Sequence, residues 1–420
     1  MCRFFLLFLM CAFSTAGNAK VALLGNVEVV AQEFIVETDS IDLLDDLLPM
    51  ERARKIAHNT WAIRVSPTAL SALGVEGGYT SQALSLMSAL AAVDGVKHVE
   101  PNYLFYSVDQ NSSKFEGEAA PTHHPVYPND PYLRDQWYLE RTNVPEAWSY
   151  TQGSADVVVA VTDSGIAFGH TDLRENLFVE YRNGYPIYGY NAFERNYRAH
   201  DDHGHGTTVA GVIGARANNG WGVAGVNWST SLMSVKVLDA GGAGSVESVI
   251  EGIYWAVDHG ARVINASWGG GSYSRALEAA IRYANDRDVL FVAVTGNSHS
   301  AVANYPAAYD IPNVIAVAGT NEYDELVYWS GGRDQIDIAA PGSNIVTTGI
   351  RGDLVRVHGG SYATAQVTAA IALALAYQPN CSAIELKEKL FESADHLRSL
   401  RSFVGNDGAR LNVGRFLESL

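Results

Sequence analysis

The sequence predicts an α/β fold in which a parallel sheet lies between two layers of helices. From about residue 127 onward, apolar runs of strand length alternate with helical segments, and this alternation favours a parallel sheet covered on both faces. The run Val157–Val161 is apolar and mostly β-branched, as expected of a strand buried on both sides. Residues Ser245–His259 place apolar side chains on one helical stripe, and Gly260 ends it. In such three-layer domains, active sites form beyond the carboxyl ends of the strands.

The remaining elements continue this pattern and add a smaller unit before it. Further strands are predicted at residues 232–237, 262–268, 289–294 and 314–318, and further helices at residues 274–285 and 361–377. A small α+β unit is predicted over residues 31–108. Its strands are Phe34–Val36, Trp61–Val65 and Val96–Tyr106, and its helix is Ser81–Ala92. Residues 107–125 then shift to polar residues with Gly and Pro, which indicates a linker.

Residues 1–19 have the features of a secretory signal peptide. Arg3 precedes the apolar run Phe4–Phe13, and small residues follow up to Ala19. The run is too short to span a bilayer, and a buried first helix is the alternative. We therefore expect a secreted protein, extracellular or periplasmic.

Composition limits the function further. The formal net charge of −17 argues against binding to nucleic acid or to an anionic membrane surface. Cys2 and Cys11 leave with the signal peptide, so Cys381 cannot form an intramolecular disulfide. No activating histidine pattern surrounds Cys381, which favours a buried or idle thiol over a catalytic one.

Asp163 is the first candidate for chemistry. It follows the strand Val157–Val161, so its carboxylate is expected at the active edge of the sheet. A buried carboxylate there can accept the Nδ1 proton of a histidine and stabilise the imidazolium formed in a reaction. Taken alone, Asp163-Ser164-Gly165 is more typical of a turn.

His205 is the second candidate. It opens a predicted helix between Gly204 and Gly206, so its Nε2 atom can face a neighbouring hydroxyl and act as a general base. A metal site formed by His203 and His205 with the nearby Asp201 and Asp202 is the alternative. The helical spacing of two histidines typical of zinc sites is absent.

Ser361 and Asn297 complete the set. Ser361 begins a long helix of small residues, where backbone N–H groups and the helix dipole favour the negative charge that develops in acyl transfer. An ordinary N-cap serine is the alternative. Asn297 follows the strand predicted at residues 289–294 and could donate to an oxyanion, although Gly296-Asn297 alone is only a turn signal. Ser361 lacks the Gly-x-Ser-x-Gly elbow, which disfavours the α/β-hydrolase class.

Together these motifs resemble the subtilisin-like serine peptidases, or subtilases, and the thermitase branch most. The order Asp, His, Ser along the chain is that of subtilisin. The segments that carry the resemblance are Asp163–Ile166, His205–Gly211, Asn265–Gly270, Gly296–Asn297 and Gly359–Ala365. The match continues to Leu411–Val413, so it covers the chain after the signal peptide.

The resemblance implies a serine endopeptidase that hydrolyses extended polypeptides. Ser361 would attack the peptide carbonyl, His205 would carry the proton, Asp163 would orient His205, and Asn297 would hold the oxyanion. The residues implied to bind substrate are Gly242, Ala243, Gly244, Ser267, Trp268, Gly269, Thr295, Gly296 and Asn304. The first three would form one strand beside bound peptide, Ser267–Gly269 would form the other, and Asn304 would close a pocket for apolar or aromatic side chains.

Four positions depart from the family pattern. Gly360 stands where the family usually has Thr, and Tyr362 where it has Met. Ala365 stands where it has Pro, and Thr208 where it has a second His. These departures leave open a catalytically weak or inactive binding protein of this fold. An esterase or a peptide ligase on the same triad is the other alternative.

The resemblance also implies a zymogen. Val99–Tyr103 resembles the end of a family propeptide, which assists folding, inhibits the enzyme intramolecularly and is cut away. The domains are therefore predicted as a signal peptide at residues 1–19, a propeptide at 20–110, a processing linker at 111–126 and a subtilisin-like peptidase domain at 127–420. Self-cleavage is expected between Tyr106 and Ala120, and the mature enzyme is expected to be a monomer. A permanent accessory domain is the alternative.

A structural calcium ion is the cofactor that the resemblance implies. Asn218–Val223 resembles the strong calcium loop of the family. The ligands would be the side chains of Asp130, Asp172 and Asn219 and the backbone carbonyls of Arg216, Trp221 and Val223. Hard cations take oxygen ligands of these kinds. An Asn-Gly turn beside surface acids is the alternative.

Overall fold

The computed structural model describes residues 15–16, 19–24, 27–44, 50–65, 79–107, 112–114, 127–270, 272–299, 302, 304–329 and 335–420. The predicted signal peptide up to residue 14, and most of the predicted linker, lie outside the described residues. The chain divides into two compact units, residues 1–104 and 105–420. No helix among the described residues has the length and apolar character needed to cross a membrane.

The first unit is built on an antiparallel sheet. Its strands are Thr15–Ala16, Ala19–Leu24, Val27–Thr38, Met50–Ala57, Thr60–Val65 and Val96–Ser107, and its helix is Tyr79–Ala91. Val27–Thr38 is the central strand, because it pairs with three others. Phe34, Ile63 and Leu86 are buried in one apolar cluster, so the helix covers one face of the sheet. The small α+β unit predicted from the sequence is therefore present, and the last three residues of the strand Val96–Ser107 belong to the second unit.

The second unit contains a ten-stranded, mostly parallel sheet. In spatial order its strands are Gly189–Asn191, Ser229–Lys236, Gly153–Asp163, Val263–Ala266, Leu290–Val294, Val314–Thr320, Ile338–Pro341, Ala409–Arg410 and Asp395–His396, with Leu326–Tyr328 beside Val314–Thr320. Among the described residues of this sheet, only the pairings of Asp395–His396 and Leu326–Tyr328 are antiparallel. The parallel sheet predicted from the alternation of strands and helices is thus confirmed, with strand bounds that differ by a few residues.

Helices and short hairpins surround this sheet. The helices are Trp137–Arg141, Val144–Ala147, His205–Gly214, Val246–Asp258, Arg275–Asn285, Gly360–Tyr377, Ala383–Glu392, Gly405–Gly408 and Val413–Glu418. The short strands are Ser112–Lys114, Glu180–Arg182, Tyr185–Ile187, Ala243–Ser245, Trp268–Gly269, Ile345–Thr348 and Leu354–Val357. We call His205–Gly214 the histidine helix and Gly360–Tyr377 the serine helix.

The strand order places the site. Gly153–Asp163 lies in the interior of the sheet, with Ser229–Lys236 on one side and Val263–Ala266 on the other. The chain thus extends the sheet in both directions from this strand, and ligands bind parallel sheets at such switch points. The serine helix is buried from Gly360 to Leu375 and packs against the sheet and the histidine helix. Because it is apolar or small on every side, it forms the centre of the core rather than a surface layer.

Candidate active site

Asp163 and His205 form a buried pair at the carboxyl edge of the sheet. Nδ1 of His205 lies 2.8 Å from Oδ1 and 2.9 Å from Oδ2 of Asp163. The aspartate is fully buried and the histidine is 5% exposed. A carboxylate can only accept, so Nδ1 carries the proton and Nε2 is left as the basic nitrogen. The predicted contact between acid and base is therefore present in the structure.

Asp201 fastens the loop before His205. Its two carboxylate oxygens accept hydrogen bonds from the Ser164 hydroxyl, from the amides of His203, Gly204 and Thr207, and from the Thr207 hydroxyl, at 2.5–3.0 Å. Burial raises the pKa of this carboxyl, but the hydrogen bonds outweigh it and the pKa is lowered. Sequence reasoning treated Asp201 only as a metal candidate. An acidic residue just before a glycine-flanked helix start was the available signal, since such residues cap helices.

Lys236 supports the other side of the same loop. It is 5% exposed, and its Nζ donates to the carbonyls of Ser164 and Leu238 at 2.8 and 2.9 Å and to Asp202 at 2.6 Å. A buried ammonium needs such a complete set of acceptors. Asp201 and Asp202 are therefore both occupied by the protein itself. No cluster of three or more potential metal ligands among His, Cys, Asp and Glu exists within the described residues, so the alternative of a metal site at His203 and His205 gains no support.

Ser361 lies in the first turn of the serine helix and is fully buried. Its hydroxyl donates to the carbonyl of Ser267 at 3.2 Å, and the Ser267 hydroxyl donates back to the carbonyl of Ser361 at 3.1 Å. In the described part of the chain, the Ser361 hydroxyl thus bonds to the backbone and not to His205. The expected hydrogen bond between this hydroxyl and the imidazole is therefore not made between these two described side chains.

Asn297 lies beside the start of the serine helix. Its Oδ1 accepts from the amide of Gly360 at 3.1 Å, which orients the side-chain amide. A Cβ on Gly360 would lie 2.8 Å from Val294 and 3.1 Å from the Asn297 oxygen. The glycine that departs from the family pattern therefore lets Asn297 approach the helix closely. Because Oδ1 is fixed on Gly360, Nδ2 is the end that can donate to an oxyanion next to Ser361.

The two predicted substrate-binding edges lie on either side of an extended segment of the chain itself. Tyr106 and Ser107 pair antiparallel with Gly269 and Trp268. On the other side, the amide of Ser107 donates to the carbonyl of Gly242 at 2.8 Å. A Cβ on Gly242, which has φ of +74°, would lie 2.7 Å from the Ser107 hydroxyl. Residues Ala243 and Gly244 continue this edge in the strand Ala243–Ser245.

Trp268 belongs to one of these two edges. Its ring meets Phe105 edge to face at a centroid distance of 5.5 Å, and both side chains are fully buried. The indole Nε1 donates to the carbonyl of Thr162 at 2.8 Å, one residue before Asp163. The tryptophan is thus fixed to the strand Gly153–Asp163 and packs against an aromatic side chain.

The other predicted pocket residues lie at neighbouring strand ends. The Thr295 hydroxyl donates to Val317 at 3.1 Å, so this side chain anchors the sheet, and Gly296 has φ of +107°. A Cβ on Gly269 would lie 2.1 Å from Nδ2 of Asn304, which places this amide directly against the edge. Nδ2 of Asn304 is buried and has no hydrogen-bond partner within the described residues. The side-chain amide of Asn304 therefore lies against the edge at Gly269, and its N–H donor has no partner among the described residues.

The candidate calcium loop gathers two buried carboxylates. Asp130 and Asp172 are both fully buried. Burial raises the pKa of Asp130 to about 6, against hydrogen bonds from the 218–219 backbone that lower it. Burial likewise raises the pKa of Asp172 to about 7, with a further increase from the charge of Asp130. The charge of one buried carboxylate thus raises the pKa of the other, an interaction that a bound cation would relieve.

The surrounding contacts bear on whether calcium fits. Oδ2 of Asp130 accepts from the amide of Asn218 at 2.6 Å, but its Oδ1 is buried with no partner among the described residues. The Asn219 side chain donates to Asp172 at 2.8 Å, and the amide of Val223 donates to the same carboxylate at 2.9 Å. An orphaned carboxylate oxygen beside a second carboxylate and a loop of backbone carbonyls fits a hard cation. Arg216 and Trp221, the other predicted ligands, belong to the same loop region.

Comparison with known proteins identifies the family. The sequence profile of the subtilase family matches residues 154–413. The chain belongs to the subtilase family. It is therefore a subtilisin-type serine endopeptidase, as the sequence motifs predicted.

Individual relatives agree with this assignment. The chain is 34% identical over 303 residues to a thermophilic serine proteinase of Bacillus sp. (strain AK1), covering 72% of this chain and 68% of the relative. It is 34% identical over 271 residues to thermitase of Thermoactinomyces vulgaris, covering 64% of this chain and 92% of thermitase. The crystal structure of fervidolysin from Fervidobacterium pennivorans, a keratinolytic enzyme related to subtilisin, superposes with a TM-score of 0.73. It covers 93% of this chain and 61% of fervidolysin at 24% identity, which supports the shared fold.

Proposed function

We propose that this subtilase is a secreted, calcium-stabilised endopeptidase that cleaves extended polypeptides through Asp163, His205 and Ser361 and is made as a self-processing zymogen. The observation that carries the proposal is the buried Asp163–His205 pair, with contacts at 2.8 and 2.9 Å. It lies at the switch point of the sheet, where the packed serine helix supplies a hydroxyl at its first turn. These groups suit acyl transfer because they combine a nucleophile, an oriented base and helix-terminal N–H groups.

The reaction begins with the serine side chain. The Ser361 hydroxyl turns from the Ser267 carbonyl toward Nε2 of His205, which takes its proton as Oγ attacks the substrate carbonyl. The tetrahedral oxyanion accepts hydrogen bonds from the Ser361 amide and from Nδ2 of Asn297. His205, held as imidazolium by Asp163, then returns the proton to the leaving amine. Water, deprotonated by His205, then attacks the carbonyl of the acyl-enzyme. Ser361 takes the proton back as it leaves, and the second product is released.

Substrate recognition in this proposal uses backbone pairing. Residues 105–107 support it, because an extended segment of this chain pairs with Trp268–Gly269 and donates to Gly242. Strand addition of this kind binds main chain rather than side chains and so tolerates varied sequences. Selectivity would come from Trp268 and from the pocket beside Asn304. The Asn304 donor at this pocket would moderate its preference for apolar or aromatic side chains.

The same segment supports a zymogen. Residues 105–107 occupy the two edges that a substrate would use, and they directly precede the predicted processing region. The propeptide at residues 20–110 would then inhibit the peptidase domain until the chain is cut after this segment. Secretion rests on the signal-like residues 1–19.

Calcium would supply structural charge rather than take part in the chemistry. Asp130, Asp172 and Asn219 would hold it, together with the carbonyls of Arg216, Trp221 and Val223. The partners in this proposal are polypeptide substrates and the protein's own propeptide, and the mature enzyme acts as a monomer.

Self-processing is tested with the full chain and its Ser361→Ala variant, each expressed in a protease-deficient host. The proposal expects wild type to lose its N-terminal segment and to hydrolyse casein, while Ser361→Ala stays full length and inactive. Intact-mass measurement locates the cut. Equal maturation of both proteins would show that cleavage does not depend on this serine. Hydrolysis of esters without hydrolysis of peptides would favour the esterase alternative.

A further inference from the structure

Tyr362 connects the two helices that carry the nucleophile and the base. It follows Ser361 in the first turn of the serine helix and is 3% exposed. Its hydroxyl lies 3.3 Å from the hydroxyl of Thr208, in the first turn of the histidine helix. Two buried polar side chains, one from each helix, therefore contact each other within the helical turn that begins at His205.

The direction of this hydrogen bond follows from a second hydrogen bond made by Thr208. The Thr208 hydroxyl donates to the carbonyl of His205 at 2.6 Å. A hydroxyl has one proton, so Thr208 must accept from Tyr362. A directed chain thus runs from the Tyr362 hydroxyl through Thr208 to the backbone of His205. Hydrogen bonds in series within a dry interior polarise one another.

The tyrosine ring adds a second constraint on the base. It lies 6.2 Å from the imidazole of His205, centroid to centroid, at an interplanar angle of 53°. Asp163 fixes the Nδ1 side of this imidazole. Because Tyr362 is covalently adjacent to Ser361, a contact between Tyr362 and the histidine helix also sets the distance from base to nucleophile.

Both residues are departures from the family pattern, which has Met at position 362 and His at position 208. A methionine has no proton to donate and could not make this bond. Tyr362 and Thr208 contact each other, so each hydroxyl has the other as a hydrogen-bond partner. Their coupling is a property of this sequence that neither position indicates alone.

We propose that Tyr362 is a positioning residue that, through the Thr208 hydroxyl, holds His205 in line with Ser361. This inference rests on the proposed triad. It requires that loss of either hydroxyl slows turnover rather than substrate binding, because both hydroxyls act on His205. It also requires that the two losses are not independent, since the Tyr362 hydroxyl acts on His205 through the Thr208 hydroxyl.

The test is a double-mutant cycle on the mature enzyme, with active sites counted by an organophosphorus titrant. Tyr362→Phe and Thr208→Val should each lower kcat about 3- to 10-fold at constant KM, which is the range for one net hydrogen bond. The double variant should be no slower than Thr208→Val, and Thr208→Ser, which keeps the hydroxyl, should retain wild-type kcat.

Thr230→Val is the matched control, because it removes a buried hydroxyl that donates to the carbonyl of Val157 at 3.0 Å, at the start of the strand Ser229–Lys236 and not at its carboxyl edge. It should lower the melting temperature and leave kcat unchanged. Losses that multiply in the double variant, an effect confined to KM, or wild-type kcat in Tyr362→Phe would each overturn the inference. A wild type that titrates but cleaves no peptide would contradict the proposed function as well, and this inference would fall with it.

Discussion

The Ser164 hydroxyl donates to Asp201 at 2.8 Å, and this bond joins the strand that carries Asp163 to the loop that begins the histidine helix. The same hydroxyl accepts from the amide of Gly206 at 3.0 Å. Asp163 and His205 thus meet because their immediate neighbours are tied together as well. Asp201 supplies the charge for this arrangement.

Asp201→Asn should destabilise the protein and slow catalysis. An amide replaces one acceptor oxygen by a donor. In place of Oδ2, the NH2 group would repel the backbone amide of Thr207, and the Thr207 hydroxyl would have to change from donor to acceptor. We expect a loss of about 2–3 kcal/mol in the free energy of unfolding at neutral pH. Urea titration in the inactive Ser361→Ala background measures this without self-digestion.

The pH dependence of that loss has a definite sign. The pKa of Asp201 is lowered in the folded state, so its contribution is present above the unfolded pKa and disappears as pH falls through the folded one. The difference in the free energy of unfolding between wild type and Asp201→Asn should therefore shrink only in acid, below about pH 4. A difference that stays constant down to full protonation would contradict the role given to this carboxylate.

Asn297→Leu should affect turnover far more than binding. Leucine keeps the approximate size but removes the donor that would meet the oxyanion, and such donors contribute about 10²–10³-fold to kcat. Steady-state kinetics on a peptide substrate should show that loss at nearly constant KM. A change below about tenfold would place the oxyanion elsewhere.

Trp268 should govern preference for an aromatic residue in the substrate. In the internal segment, Phe105 lies two residues before Ser107, which pairs with Trp268. Trp268→Leu should reduce the ratio of kcat/KM for peptides with Phe over Ala at that position by about 2- to 10-fold, the value of one aromatic pair. The ratio cancels any general damage to the enzyme, so an unchanged ratio would remove Trp268 from recognition.

Calcium should stabilise this protein more at alkaline pH than in weak acid. Asp130 and Asp172 have pKa values raised to about 6 and about 7. Raised values in the folded state mean that these two groups reduce stability as pH rises from about 4 to about 7. Calcium would bind the ionised forms and would so reverse that loss.

The corresponding measurement is the melting temperature of Ser361→Ala with EDTA and with millimolar calcium. The stabilisation by calcium should grow from about pH 5 to about pH 8 and should vanish in Asp172→Asn. Lys387→Gln, in another part of the fold, serves as the control and should keep the calcium effect. Equal melting temperatures in EDTA and calcium at alkaline pH would reject the site.

Peroxide should inactivate the mature enzyme slowly. Tyr362 stands where the family pattern usually has methionine, directly after Ser361, and Met233 is the sole methionine after residue 104. Met233 is fully buried in the strand Ser229–Lys236, where oxidation is hindered. Residual activity should outlast that of thermitase treated in parallel, and mass spectrometry should find Met233 unmodified. Rapid loss of activity would point to another oxidisable group at the site.

Much of this site could be predicted from patterns that are local in sequence. Asp163 ends a buried strand, and the parallel sheet that follows from strand–helix alternation brings that end close to the start of the histidine helix. The meeting of Asp163 and His205 thus depends on topology, which hydrophobic periodicity reveals. The same holds for the edges at Gly242 and Gly269, whose glycines indicate close approach of another backbone.

Other features depend on contacts between distant segments and have no local signal. Tyr362 and Thr208 are separated by 154 positions, and each alone is only a departure from a family pattern. The hydrogen bond from Ser361 to Ser267 depends on one side-chain torsion, which sequence does not specify. Asp201 has a local signal, its place just before a glycine-flanked helix start, but its bond to Ser164 depends on a contact between separate segments.

Labelling of the mature enzyme by an organophosphorus inhibitor tests the central claim most directly. Peptide mapping should find one adduct, on Ser361, and loss of peptidase activity should follow its formation in proportion. His205→Ala should react far more slowly. An adduct on another residue, or full peptidase activity after complete labelling of Ser361, would contradict this account.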